Sequence, residues 1–286
     1  MAYNLFRLLN MILRGTMRME LINLKDINLS SMNLSMIQGT TSSVYIGDGK
    51  CYKILDGLYS SEKRQLFKKF IEMDGIIIDD ILSPKELIID DGSLVGYTME
   101  YFSDSMNLYE FFTQERFVDV NDIFEATKKA SLIVRKAHES GIILQDFSFD
   151  NILINYSFDV KICDIDGCKY KGTESPFISM IMHNYYDVIM GKRYTIDENF
   201  DNQSLLFSML LAIYHKMNSI IDDYDTLSDK IKTLKSIKSL VNSLLKNPNT
   251  KVPYLDELIC DDDHFIIDRD KQVSLKNRLS KNYSIS

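Results

Sequence analysis

Carboxylates and the amide of Asn151 stand at the ends of short apolar runs between residues 143 and 167. Asp146 and Asn151 lie in Ile143-Leu144-Gln145-Asp146-Phe147-Ser148-Phe149-Asp150-Asn151-Ile152-Leu153-Ile154, and Asp164 and Asp166 in Val160-Lys161-Ile162-Cys163-Asp164-Ile165-Asp166-Gly167. Strand ends on a rigid scaffold are where oxygen ligands are held toward a cleft. Asp164 follows Asn151 by thirteen residues, a separation at which a hairpin of two short strands turns back and both oxygens meet one divalent cation. Mg²⁺ suits such a pair, because it takes one or two protein oxygens and completes its shell with phosphate and water. Asp166 reads two ways, as a ligand of a second metal or as a solvated turn residue. Cys163 and Cys168 flank the set and read as small apolar fillers, since Mg²⁺ prefers oxygen.

The elements that must position these groups follow from periodicity. Val44 to Ile46, Cys51 to Leu55, Glu86 to Asp90 and Val95 to Tyr101 are short apolar or β-branched runs bounded by turn residues, which predicts strands. Gly47-Asp48-Gly49 predicts a tight hairpin between the first two. One helix is expected from Ser60 to Met73, with Leu66, Phe67, Phe70 and Ile71 at helical spacing. Beyond Ser103, Ile123, Ala126, Ala130, Ile133 and Ala137 repeat at three and four residues and predict a long helix stopping at Gly141. Strands near Ile152–Ile154 and Val160–Cys163 follow, and then helices from Ser204, the first apolar almost all round and therefore central. His138 reads as a satisfied core histidine beneath the loop that carries Asp146.

These segments resemble the catalytic loop (HRDxxxxN) and the metal-binding motif (DFG) of protein kinases. The resemblance implies a two-lobed protein kinase-like fold of the α+β class: a small antiparallel sheet with one helix over 36–102 and a larger, mostly helical lobe over 103–286. Residues 1–35 are then an N-terminal extension, partly frayed. It implies Mg-ATP in the cleft between the lobes, with Asp146 as catalytic base and Asn151 and Asp164 as metal ligands. Lys53, in Cys51-Tyr52-Lys53-Ile54-Leu55, resembles the strand lysine that pairs with the phosphates. Ile37-Gln38-Gly39-Thr40-Thr41-Ser42-Ser43-Val44 resembles the glycine-rich loop, with Gly39 and Val44 at the family's spacing and Ile37 and Ser42 where glycines should be. Glu62 is the expected acidic partner of Lys53, with Glu72 in reserve. Met99-Glu100-Tyr101-Phe102 resembles the hinge whose backbone holds adenine, so Glu100 and Phe102 join the nucleotide site, with Val44, Cys51, Leu153 and Cys163 as apolar walls. Asp201, in Asp201-Asn202-Gln203-Ser204-Leu205, resembles the aspartate that begins the family's central helix and is expected to cap it and to bond the catalytic-loop backbone.

Departures from the pattern bear on substrate and control. Gln145 replaces the loop arginine that pairs with a phosphorylated activation segment, Ser148 replaces a loop lysine, and the segment from Asp164 to Pro176 is short, with Glu174-Ser175-Pro176 only faintly like its usual ending. Leu244-Leu245-Lys246-Asn247-Pro248 weakly resembles a late helix ending. A Ser/Thr protein kinase-like phosphotransferase is the expectation. A small-molecule kinase on the same fold and a pseudokinase scaffold stay open, as does the identity of the protein or small-molecule hydroxyl that would accept phosphate.

Bulk properties narrow the field. With 286 residues, 45% hydrophobic, the chain can bury a core around a cleft. A net charge of -8 and no dense Lys/Arg tract speak against general nucleic-acid binding. Cys51, Cys163, Cys168 and Cys260 lack CxxC spacing and read as reduced thiols, which with the rest suggests a cytoplasmic protein. Leu205 to Tyr214 is too short to cross a bilayer. Residues 1–18 place Arg7, Arg14 and Arg18 around an apolar set without a small-residue cleavage site, the pattern of a frayed helix or upstream extension more than of a signal peptide or interfacial helix. Abundant Ile, Asn, Lys and Asp with no Trp fits an AT-rich bacterial or phage genome.

Overall fold

Strands β3 (Ser43–Gly47) and β4 (Lys50–Ile54) are joined by Asp48 and Gly49 alone. Both turn residues have positive φ, 51° and 72°, which matches the right-handed twist of the flanking strands and is why Asp-Gly is found there. The computed structural model describes residues 19–34, 41–114, 120–172, 195–219, 251–258, 265–268 and 271–273. Contacts divide the chain into two units, Met1–Ser103 and Asp104–Ser286.

In the first unit, β1 (Glu20–Asn23), β2 (Asn33–Leu34), β3, β4, β5 (Glu86–Asp90) and β6 (Ser93–Glu100) form one six-stranded sheet in the order β1-β5-β6-β4-β3-β2. Its pairs are antiparallel except β1–β5, which is parallel, so the sheet is mixed where a wholly antiparallel one was expected. Parallel neighbours need a long connection, and β2, β3, β4 and helix α1 (Ser60–Glu72) lie between these two strands in the chain. Both edge strands come from residues 1–35, the segment expected to be an extension. Helix α1 buries Leu66, Lys69 and Phe70, and the Phe70 ring meets Tyr97 of β6 edge-on at 5.2 Å. Leu55, Leu87, Leu94 and Met73 complete this core.

The second unit holds β7 (Ser105–Asn107), α2 (Leu108–Gln114), α3 (Val120–Glu139), β8 (Ile142–Ile143), β9 (Ile152–Asn155), β10 (Val160–Ile162), β11 (Lys169–Tyr170), α4 (Glu198–Ser219), α5 (Leu255–Leu258), and the hairpin β12 (Phe265–Asp268) and β13 (Lys271–Val273). A three-stranded sheet has the order β10-β9-β7, and β8 pairs with β11. Ile123, Ala126, Ala130, Ile133 and Ala137 are all buried on α3, as their spacing predicts, and the small alanines let α4 pack close. The helix ends just before Gly141, whose φ of +76° is the left-handed conformation that stops it. Leu205, Leu206, Met209, Leu210, Ala212 and Ile213 form one buried apolar face of α4, and Gln203, Ser204 and Ser208 are buried outside it. The architecture is mixed, multistranded sheet with several helices, which agrees with an α+β class. No helix among the described residues is long and apolar enough to cross a membrane.

Gly96 of β6 makes a sharp test of the first unit. A Cβ there would lie 2.4 Å from the Lys53 carbonyl oxygen and 3.3 Å from Ile54 Cα, both backbone atoms of the paired strand β4. Gly96→Ala should therefore lower unfolding free energy in urea by about 2 kcal/mol, and an unchanged midpoint would show that β4 is not seated as described.

Candidate active site

Asp201 sits in the first turn of α4, fully buried, and accepts three hydrogen bonds. Its Oδ2 takes Leu144 N–H at 2.7 Å and His138 Nε2 at 2.8 Å, and its Oδ1 takes Gln145 N–H at 2.9 Å. The expected bond to the loop backbone is present. The expected cap is not, because α4 begins at Glu198 and the carboxylate of Asp197 accepts Phe200 N–H at 3.1 Å instead. Asp201 lies one turn too late to cap and faces the loop.

Pinned at Leu144 and Gln145, the loop turns sharply. Gln145 has a φ of +60°, left-handed for a residue with a side chain, and the next residue is Asp146. Ser204 of α4 donates its hydroxyl to the Phe147 carbonyl, a second tie to the same helix. Ser148, standing where the kinase pattern has lysine, caps a short 3-10 turn over Phe149–Asn151 by accepting Asp150 N–H at 3.3 Å. Asn151 then reaches back, its Nδ2 donating to the Asp146 carbonyl at 2.7 Å. A carbonyl can only accept, so the amide's orientation is set and its oxygen is the end directed elsewhere.

The hairpin β9–β10 returns the chain to this point. Ile162 pairs with Ile152, and Cys163 N–H donates to the Asn151 carbonyl at 2.9 Å. Asp164 follows with a φ of +59°, a second left-handed non-glycine residue at the same place, and a 3-10 turn over Ile165–Gly167. Strained backbone of this kind collects at functional sites. Asp166, in that turn, is only 6% exposed, which removes the solvated-turn reading. Asn151 is thus bonded both to the Asp146 carbonyl and to Cys163, the residue before Asp164. No trio of His, Cys, Asp or Glu among the described residues is grouped to hold a metal. The oxygens of Asn151 and Asp164 are of the type Mg²⁺ takes, its remaining positions going to phosphate and water.

Within the first unit, register places Val44 and Cys51 on one face with Lys53, since Lys53 pairs with Val44 and Tyr97 and Cys51 lies two residues before it. Lys53 is 5% exposed, with its Nζ 5.8 Å from the centre of the Tyr97 ring. Burial pushes the Cys51 thiol up to about 11. Both carboxylates proposed as the partner of Lys53 serve α1 itself: Glu62 Oε2 accepts Tyr59 N–H at 2.7 Å, and Glu72 pairs with Lys68 at 3.7 Å. Glu100 is the exposed last residue of β6 and Phe102 follows it, half-buried. In the second unit Leu153 faces away from buried Ile152 and Ile154 on β9, and Cys163 is part-exposed. Gly39, Cys260, Glu174-Ser175-Pro176 and Leu244–Pro248 lie outside the described residues.

Sequence reasoning missed one part of this region. Tyr254 bonds His138 across 116 residues of chain, and Asp256 pairs with Arg135. No local pattern marks such a contact, because neither residue belongs to a motif and the spacing carries no period. No family model and no curated protein matches the chain.

Two measurements check these assignments. Asp201→Ala strands two backbone N–H groups and an imidazole in the interior, and should cost about 3 kcal/mol or more in urea unfolding; a loss under about 1 kcal/mol would contradict the network. Iodoacetamide at pH 8 should label Cys163 and spare Cys51 in the folded chain, because a thiol titrating at about 11 is almost wholly protonated there. Equal labelling would show that Cys51 is not buried in the sheet.

Proposed function

We propose that the chain has the two-lobed protein kinase-like fold and is an ATP-dependent phosphotransferase, moving the γ-phosphoryl group of Mg-ATP to a hydroxyl. The observation that carries this reading is the double role of Asn151, whose side chain bonds the Asp146 carbonyl while its own carbonyl receives Cys163 N–H. Two bonds of Asn151 thus tie the backbone of Asp146 and of the residue before Asp164, which supports a site where one carboxylate would take a hydroxyl proton and an amide oxygen and a second carboxylate would hold a divalent cation. The motif order from Lys53 to Asp201 supports the same reading.

In the reaction, the acceptor hydroxyl oxygen forms a bond to the γ-phosphorus as the bond to the bridging oxygen of ADP breaks, and the hydroxyl proton passes to the Asp146 carboxylate. Asp164 and Asn151 would hold Mg²⁺, which supplies positive charge to the phosphate oxygens. By the family resemblance, Lys53 would supply the protein's own cation to those phosphates. Asp201 and Ser204, by fixing the backbone on either side of Asp146, keep the base from reorienting between turnovers. Gln145 and Ser148 bring no charge where the family pattern has arginine and lysine, so Lys53 bears a larger share of the electrostatic task.

Transfer of labelled γ-phosphate from ATP, offered with peptides, sugars and the protein itself, tests the reading. Wild type should transfer, and Asp146→Ala should fall by at least about 100-fold. Asp164→Asn should lose Mg-dependent nucleotide binding. Label on small molecules and never on peptides would select the small-molecule kinase. Equal signal from wild type and Asp146→Ala would remove Asp146 from the mechanism, and nucleotide binding without transfer to any acceptor would leave a scaffold.

A further inference from the structure

Residues 251–258 are fastened along α3 and the start of α4 by side-chain bonds. Val252 N–H donates to Asn199 Oδ1 at 2.7 Å, and its carbonyl accepts from Asn202 Nδ2 at 3.1 Å. Asp256 accepts from the Ser131 hydroxyl at 2.8 Å and from Arg135 Nη2 at 2.5 Å, and Arg135 also reaches Glu257 at 2.8 Å. Between these ties lies Tyr254. Its ring is covered by the Arg135 guanidinium at 4.5 Å, and its hydroxyl is 2.9 Å from His138 Nδ1. The other nitrogen of that ring is bonded to Asp201.

Donor and acceptor arithmetic then assigns the protons. A carboxylate has none to give, so Nε2 of His138 must donate to Asp201. On a neutral ring Nδ1 is left bare and needs a donor, which the Tyr254 O–H supplies. Burial pushes the Tyr254 hydroxyl up from its ordinary value of 10.0, so its proton is in place at neutral pH. His138 itself is 7% exposed, so water offers it little in the hydroxyl's stead.

We propose that Tyr254 is a positioning residue: its hydroxyl fixes His138 in the Nε2-protonated tautomer, and through His138 it holds Asp201 onto the backbone of the loop that carries Asp146. The chain Tyr254–His138–Asp201–Leu144/Gln145 links a late segment to the loop by four consecutive hydrogen-bonded groups. Which ring nitrogen carries a proton is set by the bond the other makes. Without the tyrosine hydroxyl the ring can rotate or exchange tautomers, and Asp201 loses one of its three donors. The catalytic consequence rests on the phosphotransferase reading; the tautomer does not.

The test uses the intact chain labelled with ¹⁵N-histidine. The sequence has 4 histidines, and the His138 signals are assigned by their loss in His138→Gln. Long-range ¹H–¹⁵N correlation on wild type should show Nε2 protonated and Nδ1 bare. Tyr254→Phe, which keeps the ring and its stacking on Arg135, should show mixed tautomers or an averaged signal. Ser131→Ala, which cuts another tie of the same segment, should keep the wild-type pattern. In phosphate transfer, Tyr254→Phe should lower kcat about tenfold with KM for ATP within about twofold. A wild-type ring protonated at Nδ1, an unaltered His138 signal in Tyr254→Phe, or the same change in Ser131→Ala would each overturn the proposal. Should Tyr254→Phe fail to fold, the wild-type tautomer decides alone. Should wild type transfer no phosphate, that result counts against the phosphotransferase reading and leaves the tautomer measurement to judge Tyr254.

Discussion

A buried carboxylate is stable only where donors surround it, and Asp201 has three, two of them backbone N–H groups of one sharp turn. That requirement runs in both directions. The turn at Leu144 and Gln145 places its amides where no strand or helix can use them, and Asp201 is their acceptor. Helix α4 supplies Asp201 from a fixed position because Leu205, Met209 and Ile213, which follow it along the same stripe at intervals of four, are buried. Loop geometry is thus set by a helix more than fifty residues away in the chain, and whatever Asp146 does depends on that attachment.

Two residues here are left-handed, Gln145 just before the candidate base and Asp164, itself a candidate metal ligand. Each conformation costs on the order of 1 kcal/mol and persists only where surrounding bonds over-determine it. Around Gln145 those bonds are the Asp201 acceptor and the Ser204 hydroxyl on Phe147. Ahead of Asp164 stands Cys163, tied to Asn151. The chemistry this favours is oxygen-based, with polar side chains on short, well-braced backbone and the thiols nearby bonded or buried.

How much of this was written in the sequence varies with the range of the interaction. The α3 stripe of Ile123, Ala126, Ala130, Ile133 and Ala137 was legible because helical burial is periodic, and the Asp48-Gly49 hairpin because its turn demands positive φ. The hairpin that returns the chain from Asn151 to Cys163 was legible because a short hairpin is a local device. The parallel β1–β5 pair was not, since a four-residue edge strand has too little alternation to declare its partner. Asp201 was found but misassigned as a cap, because one turn of helix separates the two roles and propensity does not resolve a turn. Glu62 follows the same logic: an acidic residue early on α1 suits a lysine partner and an N-terminus equally, and the structure has it on the Tyr59 N–H. Tyr254 left no trace, as a contact over 116 residues has no sequence period.

The most direct measurement is a crystal structure of the intact chain with a nonhydrolysable ATP analogue and Mg²⁺. The account predicts a cation about 2.0–2.1 Å from a carboxylate oxygen of Asp164 and from Asn151 Oδ1, with the Asn151 amide still on the Asp146 carbonyl and Lys53 on the phosphates. Nucleotide bound away from Asp164, or Lys53 turned from the phosphates with no cation at the Asn–Asp pair, would contradict it.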